Sequence, residues 1–267
     1  MPYIAKLRKV IKNNNSNVVI GLDTDVEKIP DFFKKAKDPV YAFNNYIVAI
    51  TSRMVAGYKI NIAFYETPNG LRSLEKLLVN IPSHMIKIAD AKRGDIENTS
   101  ELYARTYFDM YDFDAITAAP YMGEDSIKPF LKRKDKYVYL LALTSNPGGK
   151  DFQYLKAGTK YLYQWVIDRS KKWGNNLGYV FGANYEKEID EFTKKNKNTS
   201  LLIPGVGTQH GDASKLLKSL HNKLFLINSS RGIIYSAPKN CKQREFEDCV
   251  YNAAKELNSK INSVKIK

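Results

Sequence analysis

The strongest constraint on the fold is a recurrence. Short runs rich in Val, Ile, Leu, Phe and Tyr occupy residues 18–22, 56–60, 85–89, 114–117, 137–143, 178–181, 201–203 and 224–227. Segments with helical patterning lie between and after them, near 40–53, 70–79, 99–111, 125–131, 160–173, 186–195, 213–220 and 243–257. The apolar runs are nearly continuous and end in polar or Gly/Pro-containing segments, the pattern of parallel strands covered on both faces. Eight strand-then-helix alternations in about 250 residues predict an α/β chain folded as a (β/α)8 TIM barrel. An open doubly wound sheet would carry a Gly-rich fingerprint after its first strand. That turn here reads Gly21-Leu22-Asp23-Thr24-Asp25 instead. No linker or composition shift divides the chain, so residues 1–267 are expected to form one domain.

Composition narrows the function classes. A hydrophobic share of 43% with 26% charged residues is that of a globular protein rather than a disordered one. Lys and Arg number 42 against 28 Asp and Glu, giving a formal net charge of +14. Much of the excess sits in Lys/Asn tracts at 12–17 and 194–200, without interleaved aromatics. It therefore reads as a solvated surface, with no nucleic-acid partner, in a field that also suits a small anionic substrate. Cys241 and Cys249, and His84, His210 and His221, match no ligand spacing, so no metal is expected and the thiols read as reduced. The longest apolar run, Tyr137–Leu143, is too short to cross a bilayer, and the first residues lack the apolar stretch of a secretory leader. A cytoplasmic protein with no membrane partner is expected.

In such barrels the chemistry lies at the C-terminal ends of the strands, and phosphate binds after strands seven and eight. Strand one leads into Asp23, strand two ends in Lys59-Ile60-Asn61, and strand three leads into Asp90-Ala91-Lys92-Arg93-Gly94-Asp95. Side-chain alternation puts Asp90 and Lys92 on the face of Ile86 and Ile88, with Lys87 turned toward the helices or solvent. Charges on an interior face must pair, so Asp90, Lys92 and Asp95 suggest a pre-assembled network. After strand five, Ser145 and Asn146 suit hydrogen bonds to a heterocycle edge and, equally, an ordinary turn. Strand seven runs into Pro204-Gly205-Val206-Gly207-Thr208-Gln209, and strand eight into Asn228-Ser229-Ser230-Arg231-Gly232. Two Gly-containing turns, an Arg and a following helix make an anion cradle.

In chain order, GLD at 21–23, YKIN at 58–61, DAKRGDI at 90–96 with Asn98-Thr99, TSNPG at 144–148, PGVGTQ at 204–209 and SRG at 230–232 resemble the orotidine 5′-phosphate decarboxylases. The DAKRGDI segment and YMGEDS at 121–126 resemble the branch of many bacteria and malaria-type parasites. The resemblance implies a homodimeric carboxy-lyase, needing no cofactor, that converts orotidine 5′-phosphate to uridine 5′-phosphate and CO2, the last step of de novo UMP synthesis. It implies a catalytic array of Lys59, Asp90, Lys92 and the partner subunit's Asp95, with Lys92 as proton donor to C6. It further implies ribose contacts from Asp23 and the partner subunit's Thr99, and the partner subunit's Ile96 packing by the base. Ser145 would meet the pyrimidine edge, with Asn61 a further polar contact and Pro204 lining the pocket near the leaving carboxylate. Gln209, Ser230, Arg231 and Gly232 would hold the phosphate. Two other readings remain: a sugar-phosphate decarboxylase or aldolase on the same barrel, often metal-dependent, and, more remotely, a basic RNA-binding protein.

Overall fold

The computed structural model describes residues 1–206, 213–222 and 224–265. The elements run α1 (Tyr3–Asn14), β1 (Val18–Gly21), α2 (Asp31–Lys34), α3 (Pro39–Thr51), β2 (Gly57–Asn61), α4 (Pro68–Asn80), β3 (Ile86–Arg93), α5 (Glu97–Ala104), β4 (Ala115–Ala118), α6 (Glu124–Leu131) and β5 (Tyr137–Leu143). There follow α7 (Gly149–Phe152), β6 (Lys156–Ala157), β7 (Lys160–Tyr161), α8 (Leu162–Ser170), β8 (Leu177–Phe181), α9 (Glu186–Lys195), β9 (Leu201–Pro204), α10 (Ala213–Lys218), β10 (Phe225–Ser229), α11 (Arg231–Ile234) and α12 (Gln243–Lys265). Parallel strands close in the order β1-β10-β9-β8-β5-β4-β3-β2, the expected (β/α)8 barrel. Each expected apolar run supplies one of these strands. The β6–β7 pair is a separate antiparallel hairpin outside the barrel.

Strands β1, β4, β8 and β10 are buried along their whole length, which explains why their sequences carry no polar alternation. Removing each Val, Ile or Leu of this core from water contributes about 1.5–3 kcal/mol. Three local features depart from the expected pattern. Strand β3 continues to Arg93 rather than stopping near residue 89, and its register against β4 shifts between Ala89 and Arg93. The helix expected from residue 160 starts at Leu162, because Lys160 and Tyr161 pair with the hairpin and the Gln164 side chain accepts the Tyr161 N–H. Helix α5 ends at Ala104 and passes into a π-helical turn, Arg105–Met110, over the rest of the expected helix.

The apolar pattern does not predict helix α1, since Lys, Arg and Asn dominate its exposed face. Its buried residues Tyr3, Leu7 and Val10 form one stripe at helical spacing. Tyr3 stacks on Tyr137 with ring centroids 4.6 Å apart, and Lys6 pairs with Asp114 at 2.7 Å. Both contacts lie at the starts of β4 and β5, so α1 packs at the N-terminal end of the barrel and leaves the opposite mouth for chemistry. Lys87 is buried on the outer side of β3, with its Nζ 3.1 Å from Asp112, as its place in the alternation predicts.

Candidate active site

The parallel register brings charged residues of β1, β2 and β3 to one level at the C-terminal mouth. Gly21 pairs with Lys59, and Asn61 pairs with Asp90. Lys59 is almost fully buried, with Nζ 2.6 Å from Asp90 Oδ2 and 3.6 Å from Asp23 Oδ1. Burial alone would lower the Lys59 pKa, but the charges of Asp23 and Asp90 outweigh it and hold the group above its ordinary value. The Lys92 ammonium lies 2.7 Å from Asp90 Oδ1. Burial pushes the Asp90 carboxyl up, yet Lys59 and Lys92 overcome that and bring it down to about 2. The result is a chain of alternating acidic and basic side chains, Asp23–Lys59–Asp90–Lys92, assembled within one subunit.

The contacts of Asp90 with Lys59 and Lys92 are those expected, whereas the Lys59–Asp23 pair and the backbone path are not. Regular alternation does not carry Lys92 to Asp90. Lys92 adopts φ +50°, a left-handed conformation uncommon for a side-chain-bearing residue, inside the register shift of β3. Thr117 on β4, which sequence reasoning did not single out, completes the array. Its hydroxyl accepts the Lys92 N–H at 3.0 Å and donates to Asp90 Oδ1 at 3.0 Å. Arg93 also went unmarked. It spans from β3 to the loop after β2, with its guanidinium on Glu66 and the Tyr107 hydroxyl and 5.0 Å from the Tyr103 ring.

Asp23 is held from the other side. Ser230 Oγ donates to its Oδ2 at 2.9 Å, and the Asn61 N–H reaches its Oδ1 at 3.3 Å. Gly21 permits this closure, since a Cβ there would stand 1.8 Å from Ser230 Oγ. The Asn61 side chain accepts from the Ala63 N–H at 3.2 Å and so caps the short turn after β2. Across the mouth, Ser145, Gly205, Val206, Asn228, Ser230 and Arg231 line a cavity of about 170 Å³. Arg231 and Gly232 open α11 and are exposed, while Pro204 ends β9 half-buried. Gln209 lies outside the described residues.

One chain does not bring Asp95 into the charge array. Its carboxylate accepts the Ile96 N–H at 2.7 Å, and the Ser100 hydroxyl donates to its carbonyl at 2.9 Å. Ile96 is 68% exposed, and Thr99 lies one turn on in α5. Ile96 is thus exposed beside the half-buried Asp95 and Thr99 in the segment that follows β3. A larger cavity of about 970 Å³ lies elsewhere, against Tyr121, Leu141, Phe152 and Trp165. It is mainly apolar and shares no lining residue with the charged array, so volume is a poorer guide to the chemistry than the ion pairs. Among the described residues no three His, Cys, Asp or Glu side chains group as metal ligands, and no helix is long and apolar enough to cross a membrane.

The sequence profile of the orotidine 5′-phosphate decarboxylase / HUMPS family matches residues 16–246. The chain belongs to this family. Over 241 residues it is 46% identical to the orotidine 5′-phosphate decarboxylase of Christiangramia forsetii, covering 87% of this chain and 89% of that protein. It is 43% identical to the Bacteroides fragilis orotidine 5′-phosphate decarboxylase over 258 residues, 92% of each chain. Among solved structures, the orotidine monophosphate decarboxylase of Leishmania donovani superposes with a TM-score of 0.84 at 30% identity over 100% of both chains. The UMP synthase of the same organism matches with a TM-score of 0.86 at 31% identity, with 99% of this chain spanning 57% of that one. Membership in this family agrees with the barrel and with the family resemblance seen in the sequence.

Proposed function

We propose that this protein decarboxylates orotidine 5′-phosphate to uridine 5′-phosphate, with Lys92 as the proton donor. The carrying observation is the Lys59–Asp90–Lys92 array at the barrel mouth, with Nζ-to-carboxylate distances of 2.6 and 2.7 Å. As the bond from C6 to the carboxylate carbon breaks, its electron pair remains on C6 and CO2 departs. An ammonium fixed at that carbon stabilises the developing charge and then transfers a proton to it. Asp90 holds Lys92 in place before substrate arrives, so little reorganisation falls within the chemical step. No step in this scheme is routed through a metal or an organic cofactor.

Remote groups would fix the ring. Arg231, Gln209 and the backbone at Ser230 and Gly232 take the phosphate, Asp23 and Lys59 the ribose hydroxyls, and Ser145 the pyrimidine edge, while Asn61 adds a polar contact and Pro204 lines the pocket near the leaving carboxylate. Binding energy spent on the phosphate then supports a step several bonds away. The exposed Ile96, and an Asp95 that stays out of its own chain's charge array, support a homodimer in which the partner subunit's Asp95, Ile96 and Thr99 complete each site. Loss of the ultraviolet absorbance of orotidine 5′-phosphate, followed with and without a chelator, tests the reaction. Lys92→Ala is expected to lower kcat by more than about 1000-fold while holding uridine 5′-phosphate within about threefold of the wild-type affinity. A variant that keeps most of its kcat removes Lys92 as donor. Activity abolished by the chelator would favour the metal-dependent sugar-phosphate chemistry instead.

A further inference from the structure

Between β3 and β4, Ala89 pairs with Ile116 and Arg93 with Ala118. Asp90, Ala91 and Lys92 therefore stand opposite a single residue, Thr117. A bulge of this kind takes backbone donors out of the sheet ladder, and each needs another acceptor. The Lys92 N–H finds Thr117 Oγ1 at 3.0 Å. Because Oγ1 accepts there, its own proton is directed to Asp90 Oδ1, a carboxylate oxygen that can only accept, at 3.0 Å. The same Oδ1 holds Lys92 Nζ at 2.7 Å. One hydroxyl thus closes a ring that tethers Lys92 at both its backbone nitrogen and its ammonium. The ring encloses a residue at φ +50°, and Thr117 is 2% exposed, so water has little access to replace the hydroxyl.

We infer that Thr117 is a positioning residue for decarboxylation. It holds Lys92 in its left-handed conformation and aims Asp90 Oδ1, so that the ammonium is presented to the reacting carbon. Its effect passes through Lys92 and Asp90 rather than through contact with substrate, and the inference rests on the proposed donor role of Lys92. Thr117→Val keeps the shape and removes the hydroxyl; Thr117→Ser keeps the hydroxyl and removes the methyl. For Thr117→Val, kcat is expected to fall about 10- to 100-fold, the range for losing hydrogen bonds that involve a charged partner. KM and the affinity for uridine 5′-phosphate should stay within about threefold of wild type, and Thr117→Ser should recover kcat to within about threefold.

Wild-type kcat in Thr117→Val overturns the inference. So does an equal loss in Val and Ser, which would make packing the cause. A loss of product affinity and melting temperature matching the loss of kcat would assign Thr117 a structural role and overturn it too. Lys92→Ala, measured alongside, separates the two levels. Turnover retained there removes the donor assignment and this inference with it, whereas an inactive Lys92→Ala beside a fully active Thr117→Val overturns the positioning role alone.

Discussion

Replacing Asp90 by Asn tests the electrostatic reading of the site through stability, independently of turnover. Asp90 is mostly buried, at 12% side-chain exposure, between Lys59 and Lys92, and its pKa falls from 3.8 to about 2. At about 1.36 kcal/mol per pH unit, that fall corresponds to about 2–3 kcal/mol of folding stability carried by the ionised carboxylate. The neutral amide also leaves the Lys59 charge in a nearly dry position with only Asp23 at 3.6 Å, which moves the expected loss toward the about 3–5 kcal/mol of a broken buried pair. A carboxylate whose folded pKa lies below its unfolded one contributes fully above the unfolded value and loses that contribution as pH falls through the folded value. At pH 3, between the two values, roughly half of that contribution remains, so the gap between wild type and Asp90→Asn should narrow by about 1 kcal/mol on going from pH 6 to pH 3. Urea unfolding of both proteins at the two pH values measures this gap, and other acidic pairs, such as Glu101 with Arg133, cancel in the difference. An Asn variant as stable as wild type at pH 6 would refute the assignment. A gap unchanged at pH 3 would refute it equally.

Two further perturbations address the geometry around the array. Gly21→Ala places a Cβ 1.8 Å from Ser230 Oγ and 2.8 Å from its Cβ, so a loss of about 1–3 kcal/mol in urea unfolding is expected. Ser230→Gly in the same chain should restore most of it, and simple additivity would show that the two residues do not collide. Mixing Lys92→Ala with Asp95→Ala subunits should give about a quarter of wild-type activity after random re-pairing, because half of the dimers then contain one intact site in two. No recovery above either parent would place Asp95 and Lys92 in the same chain's site.

The barrel is legible in the sequence because strands covered on both faces must be apolar throughout, and those runs stand out against a Lys/Asn-rich background. The exceptions have local causes. Helix α1 buries only one narrow stripe, Tyr3, Leu7 and Val10, in an otherwise basic segment, and the Lys160–Tyr161 strand exists only because a hairpin forms ahead of α8. In the site, Asp23, Lys59, Asp90 and Lys92 are visible as charges at strand ends, where an unpaired charge is too costly to bury. Asp95, Ile96 and Thr99 are visible by motif, yet a single chain leaves Ile96 exposed and Asp95 outside the charge array.

Thr117 belongs to a different class. Nothing in the run Ala115-Ile116-Thr117-Ala118 distinguishes it from an ordinary strand threonine. Its importance arises from pairing across strands, when β3 places three residues opposite one. Period-two alternation predicts Asp90 and Lys92 on one face, but the bulged strand does not follow it, and alternation leaves the donors of such a segment unassigned. The register shift creates the need for a hydroxyl at that position, and that hydroxyl in turn bonds the carboxylate that holds the ammonium. Positioning in this site is thus a property of sheet register, which no segment of either strand encodes alone. A substitution elsewhere in β4 that moved its register by one residue would be expected to disable Lys92 while leaving every charged residue in place.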